Sequence, residues 1–95
     1  MATKVALVHL EFHIPAARSL KDKRRSVKSF KDRLANRYNV SVAEVDALDD
    51  RRRAVLAVVM VGNDGRYLES AMQRIINSAA TQREMILAAE EVQWL

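Results

Sequence analysis

The residues most able to do chemistry lie in two short stretches. The first is a dense cationic segment. Lys21, Arg24, Lys28 and Lys31 are spaced three, four and three apart, with Arg25 beside them and Arg18 just ahead. On a helix that spacing makes one ridge. Ser19 precedes the segment as a candidate N-cap, its hydroxyl able to accept from a first-turn amide. A helix N-terminus carries partial positive charge and favours acids, yet this one opens with Arg18, Lys21, Lys23, Arg24 and Arg25 around a single Asp22. Free amides, helix dipole and clustered cations together suit an anion, phosphate above all. The candidate anion- or RNA-binding set is Arg18, Ser19, Lys21, Lys23, Arg24, Arg25 and Lys28. The competing reading is a solvated, solubilising face. The second stretch is His9, Glu11 and His13, alternate residues whose types suit a metal. Their spacing does not: residues four apart on a strand are ~13 Å apart, too far for both imidazoles to share one ion. No metal site and no cofactor is expected.

Other constellations are weaker. Asp46, Asp49 and Asp50 precede Arg51, Arg52 and Arg53 in what reads as a self-neutralising connection. Gly62-Asn63-Asp64-Gly65 lacks the length and the lysine of a phosphate loop. The chain has no cysteine, which removes disulfides and thiolate chemistry and suits a reducing cytoplasm. There is no serine–histidine elbow either. The chain reads as a non-enzyme.

These groups must be carried by a small framework. Ninety-five residues make one domain, 1–95, and 49% apolar composition argues for a folded core. The formal net charge of +4 is unevenly spread: Arg18 to Arg37 holds nine basic and two acidic residues, and the remainder is net acidic. No leader is expected, since the apolar stretch Val5 to Phe12 is too short to cross a bilayer and contains His9 and Glu11. A cytoplasmic protein with no membrane partner is expected.

From Lys4 to Ile14 the pattern has period two, with Ala6, Val8, Leu10, Phe12 and Ile14 on one face and Val5, Leu7, His9, Glu11 and His13 on the other. That is a strand, stopped by Pro15. Leu20, Val27, Phe30, Leu34 and Tyr38 share one face of a helix from about Leu20 to Tyr38, with Asn39 as its stop. Val40 to Ala47 and the apolar run Ala54 to Val61 read as strands two and three. Asn63 or Asp64 caps a second helix carrying Leu68, Met72, Ile75, Ile76 and Ala79, and Arg83 to Trp94 reads as a final strand. The order β-α-β-β-α-β predicts an α+β fold, the ferredoxin-like plait, with a four-stranded antiparallel sheet and two helices on one face.

The uncovered sheet face carries Val5, Leu7 and every second residue of Ala54 to Val61, too apolar for a surface meeting only water. It predicts an interface at Val5 and Leu7, a homo-oligomer such as a dimer, unless the last strand and chain end fold over it with Trp94 as a lid. The chain's five aromatics, Phe12, Phe30, Tyr38, Tyr67 and Trp94, do not supply the base-stacking sheet of an RNA-recognition motif, so any RNA contact would be to backbone and shape.

The run His13-Ile14-Pro15-Ala16-Ala17-Arg18-Ser19-Leu20-Lys21-Asp22-Lys23-Arg24 resembles the signature of the YlxP-like family of small bacterial proteins, a domain of unknown function. The likeness continues through Arg37-Tyr38-Asn39-Val40-Ser41-Val42-Ala43-Glu44-Val45-Asp46 and near Asn63-Asp64. The signature positions are Pro15, Ser19, Leu20, Lys21, Lys23 and Arg24. The resemblance implies a ferredoxin-like fold. It also implies, through genes that neighbour those of transcription and translation factors, a partner in ribosomal RNA or a ribosomal subunit. It supplies no catalytic residues. The chain departs from the family in having Ala16 where members commonly have glycine, and Asp49-Asp50-Arg51-Arg52-Arg53 where many carry an aromatic stretch.

Overall fold

A computed structural model describes residues 2–95. The elements run β1 (Lys4–His13), α1 (Leu20–Arg37), β2 (Val40–Asp46), β3 (Arg53–Gly62), α2 (Gly65–Ala80) and β4 (Ile86–Trp94). They form one antiparallel sheet in the order β2-β3-β1-β4, with both helices on one face, the ferredoxin-like plait.

Period-two patterning does what the sequence requires of it. Ala6, Val8, Leu10 and Phe12 of β1 are fully buried beside Ala54, Leu56 and Val58 of β3. Val27, Phe30 and Leu34 of α1 and Leu68, Met72, Ile75, Ile76 and Ala79 of α2 close over them. Phe12 and Phe30 meet edge to face with ring centroids 5.4 Å apart, the orientation that sets a positive ring edge against a negative ring face. Leu20 and Tyr38, at the ends of the helical stripe, are only half-buried.

Element ends are set by pairing as much as by composition. β3 reaches Arg53 and Gly62 because these pair with His13 and Lys4. β4 starts at Ile86, three residues later than the composition suggests, after a turn that buries Met85. The chain end does not fold over the open face. β4 lies flat at the sheet edge, Trp94 pairs with Ala6 on the helix side, and its ring is half exposed. The lid expectation is therefore corrected: β4 uses its backbone to extend the sheet and leaves Val5 and Leu7 partly open.

Candidate nucleic-acid interface

α1 starts where Ser19 adopts extended backbone and its Oγ accepts from the Asp22 amide at 3.1 Å. Asp22 answers by accepting from the Arg18 amide at 3.0 Å. This reciprocal pair resembles a capping box with aspartate in place of glutamate. It already satisfies two backbone donors and sets one carboxylate at the helix start, so the free-amide part of the expected anion site is smaller than the sequence suggests.

The cations divide sharply. Arg18, Lys21, Arg24, Arg25 and Lys28 are all exposed. At 100° per residue, Lys21, Arg24, Arg25 and Lys28 fall within an arc of about 100° that flanks the buried stripe, Arg24 nearest to it. Lys28 pairs with Asp32 at 2.7 Å, a solvent-exposed pair one turn apart, which holds the lysine loosely. Among the described residues, Arg18, Lys21, Arg24 and Arg25 have no carboxylate within ion-pair distance.

Lys23 does not belong with them, and its assignment to the anion-binding set is corrected. Its side chain is 0% exposed. Nζ lies 2.7 Å from Glu44 Oε2, which has no other partner among the described residues. It also donates to the carbonyls of Ala47 at 2.7 Å, Asp50 at 2.7 Å and Arg53 at 3.0 Å, with Leu48 at 3.4 Å. An ammonium has three protons. The three 2.7 Å contacts mark its principal partners, and the two longer ones share what remains. Lys23 is an internal cation that ties α1 to β2 and to the β2–β3 connection. A signal for this existed: Lys23 is three residues after Leu20 and four before Val27, in phase with the buried stripe. Lysine's habit of facing water hides it.

The connection that Lys23 grips is bent accordingly. Ala47 has φ of 55°, the left-handed region, with its amide bonded to Asp46 Oδ1 at 2.7 Å. Asp50 Oδ1 accepts from the Arg52 amide at 2.9 Å. Arg18 and Ser19 share a groove with this connection, but Arg51 and Arg52 there are matched by Asp46, Asp49 and Asp50. The positive surface without ion pairs among the described residues is the outer flank of α1, with Arg18 at the border between it and that groove.

The open face holds Glu11, which accepts from Arg53 Nη2 at 2.9 Å. That hydrogen bond lowers the Glu11 carboxyl from its ordinary range; partial burial opposes, and the charges of Arg53 and His13 add to the lowering. The same bond raises Arg53. Glu11 is thus engaged by an arginine, and no group of three or more histidine, cysteine or acidic side chains among the described residues could hold a metal ion. No helix among them is long and apolar enough to cross a membrane.

No curated protein matches the chain. The profile of DUF503, described as a protein of unknown function, matches residues 5–92, from the first strand to the last. With that span, the chain belongs to the DUF503 family of proteins of unknown function.

Proposed function

We propose that this protein is a YlxP-like, non-enzymatic accessory protein of the cytoplasm that binds the phosphate backbone of structured RNA, ribosomal RNA first among candidates, through the outer flank of α1. The observation that carries this is a run of exposed cations, Arg18, Lys21, Arg24 and Arg25, with no carboxylate partner among the described residues, continued by the loosely paired Lys28. Like charges so placed repel one another and gain little from the helix dipole. A polyanion reverses the sign of that interaction and releases its own counterions on binding. The sheet supports the same mode from the other direction: beside Val5, Leu7, His9, Glu11 and His13, the described residues of its open face include no phenylalanine, tyrosine or tryptophan for base stacking. Ribosomal RNA is the favoured polyanion because of the gene neighbourhood that the YlxP-like resemblance implies.

The test is binding to ribosomal RNA or purified ribosomal subunits across a salt series, beside the variant Arg24→Glu/Arg25→Glu/Lys28→Glu. With about four phosphate contacts, log affinity should fall with log salt at a slope of roughly −3 to −4. The variant should lose both the affinity and the slope, and a random RNA of equal length should bind more weakly. Unchanged affinity in the variant, or no binding at low salt, overturns the reading.

A further inference from the structure

The open sheet face is a four-by-three lattice whose rows can be read from the strand register. From β4 to β2 the rows are Gln93-Leu7-Val59-Ser41, then Glu91-His9-Ala57-Ala43, then Ala89-Glu11-Val55-Asp46. Val5 and Val61 extend the apolar part at one end, where Val61 is 55% exposed. The lattice is lopsided. Its β1 and β4 half carries the long side chains Leu7, His9, Glu11, Glu91 and Gln93. Its β3 and β2 half is mostly short, with Ala57, Ala43 and Ser41 making a hollow beside Val55 and Val59.

We propose that a second copy of this chain covers this face, related by a twofold axis that runs along the strands between β1 and β3. That axis lies at the middle of the sheet order β2-β3-β1-β4, so it sets β1 on the partner's β3 and β4 on the partner's β2. Each row then meets its own reverse. Leu7 faces Val59, His9 enters the hollow at Ala57, and Glu91 lies over Ala43, so long meets short along every row. Within these three rows no like charges are opposed, and Glu11 arrives already bonded to Arg53. A twofold perpendicular to the strands would instead stack β1 on β1 and β4 on β4. It would bring Glu91 onto Glu91 and His9 onto His9, and leave the hollow at Ala43 and Ala57 facing itself.

The area is sufficient. Four strands ~4.8 Å apart and about eight residues long make a face of roughly 500 Å², or about 1,000 Å² over two copies. That reaches the lower bound for a specific interface and exceeds a typical lattice contact. Aligned sheet packing of this kind keeps strand directions within about 30° and fills the space between with interdigitated side chains. The interface is isologous and closes on itself, so it stops at two copies.

The mass of the full chain in solution, measured by light scattering and by sedimentation over a concentration series, tests this with four variants. The wild type should be a dimer. Leu7→Glu should weaken it at least about 100-fold, by burying a charge in an aliphatic contact. Ala43→Lys should tighten the dimer by about two- to fivefold at low salt, because its ammonium meets the partner's Glu91. Within one protomer these two positions are three strands apart, roughly 14 Å, so they do not pair there. Ala43→Glu should weaken the dimer by a similar factor, and Glu91→Gln should erase the gain from Ala43→Lys. Position 43 is exposed, so these variants keep the fold, which thermal unfolding of each will verify. A monomeric wild type at the highest attainable concentration overturns the proposal. So does a dimer indifferent to Leu7→Glu, or one that Ala43→Lys weakens.

Discussion

Replacing Lys23 by methionine removes a charge that the fold has taken wholly out of water while keeping most of its length and its packing. The structure sets the size of the effect. Three contacts at 2.7 Å are lost, one of them to the carboxylate of Glu44, whose side chain is 16% exposed. Breaking a buried ion pair by removing one member costs about 3–5 kcal/mol, since the other charge stays desolvated. Water can reach part of Glu44 and the exposed connection at 48–52, so the lower end applies, about 3 kcal/mol. For a domain of this length that is a large part of the ~5–14 kcal/mol available, and a fall in the thermal midpoint of about 12–24 °C. Urea unfolding with a linear extrapolation is the assay, with the midpoint moving and the slope constant. Lys28→Met, which breaks only an exposed pair, should cost no more than about 0.5 kcal/mol. Adding Glu44→Leu to Lys23→Met should recover about half of the loss, because the orphaned charge goes with it. A loss below ~1 kcal/mol for Lys23→Met, or a double variant as unstable as the two single losses added, would refute the internal-cation account.

Two further outcomes follow from the same region. Ala47→Gly should stabilise the fold by about 0.5–1 kcal/mol, because φ of 55° strains alanine and not glycine; equal or lower stability in urea would mean that the left-handed turn is not under strain. Glu11 should make stability depend on acid. Its folded pKa is depressed, so the stability it contributes is present above its ordinary, unfolded value and is lost as pH falls through the lower folded value. Thermal midpoints measured from about pH 7 to pH 3 should separate wild type from Glu11→Gln near neutrality and converge in acid; parallel curves would remove the Arg53 bond from the account.

The contrast between Lys23 and its neighbours explains what was legible in the sequence. Period two in Lys4–Ile14, helical phase in Leu20–Tyr38 and the apolar run at 54–61 are local properties, and they suffice for the element order and the fold. The ends of β3 and the start of β4 depend on which residues of β1 they pair with, and no local pattern carries that. β4 is also an edge strand, exposed along most of its length, so its alanines and glutamates lack the alternation that burial on one face imposes. Lys23 is the strongest case. Its oxygens come from Glu44 and from residues 47 to 53, more than twenty positions away. Nothing within one helical turn distinguishes it from Lys21 or Arg24 except its phase with Leu20 and Val27. Charge type was readable from the sequence, but its direction depended on a tertiary cage.

That cage bears on how the two proposed surfaces relate. Lys23 joins α1 to β2 and β3 from within the layer between helix and sheet. The exposed cations of α1 lie on the outer side of that layer, and the lattice of Leu7, Ala57 and Ala43 lies on the opposite side of the sheet. A second copy packed on the lattice therefore covers none of the cations, and a polyanion held on α1 contacts none of the lattice. The two readings stand or fall separately: charge reversal at Arg24, Arg25 and Lys28 leaves the interface untouched, and Leu7→Glu leaves the ridge untouched. Lys23 is the one cation of the segment whose replacement would disturb both, because it fixes the helix to the strands on which the lattice is built. Its two neighbours in the signature run, Asp22 and Arg24, show the same division of labour at single-residue resolution. Asp22 caps the helix, Lys23 anchors it, and Arg24 faces outward. One short run of charged residues thus serves the helix end, the core and the surface in turn, as the 100° rotation per residue dictates.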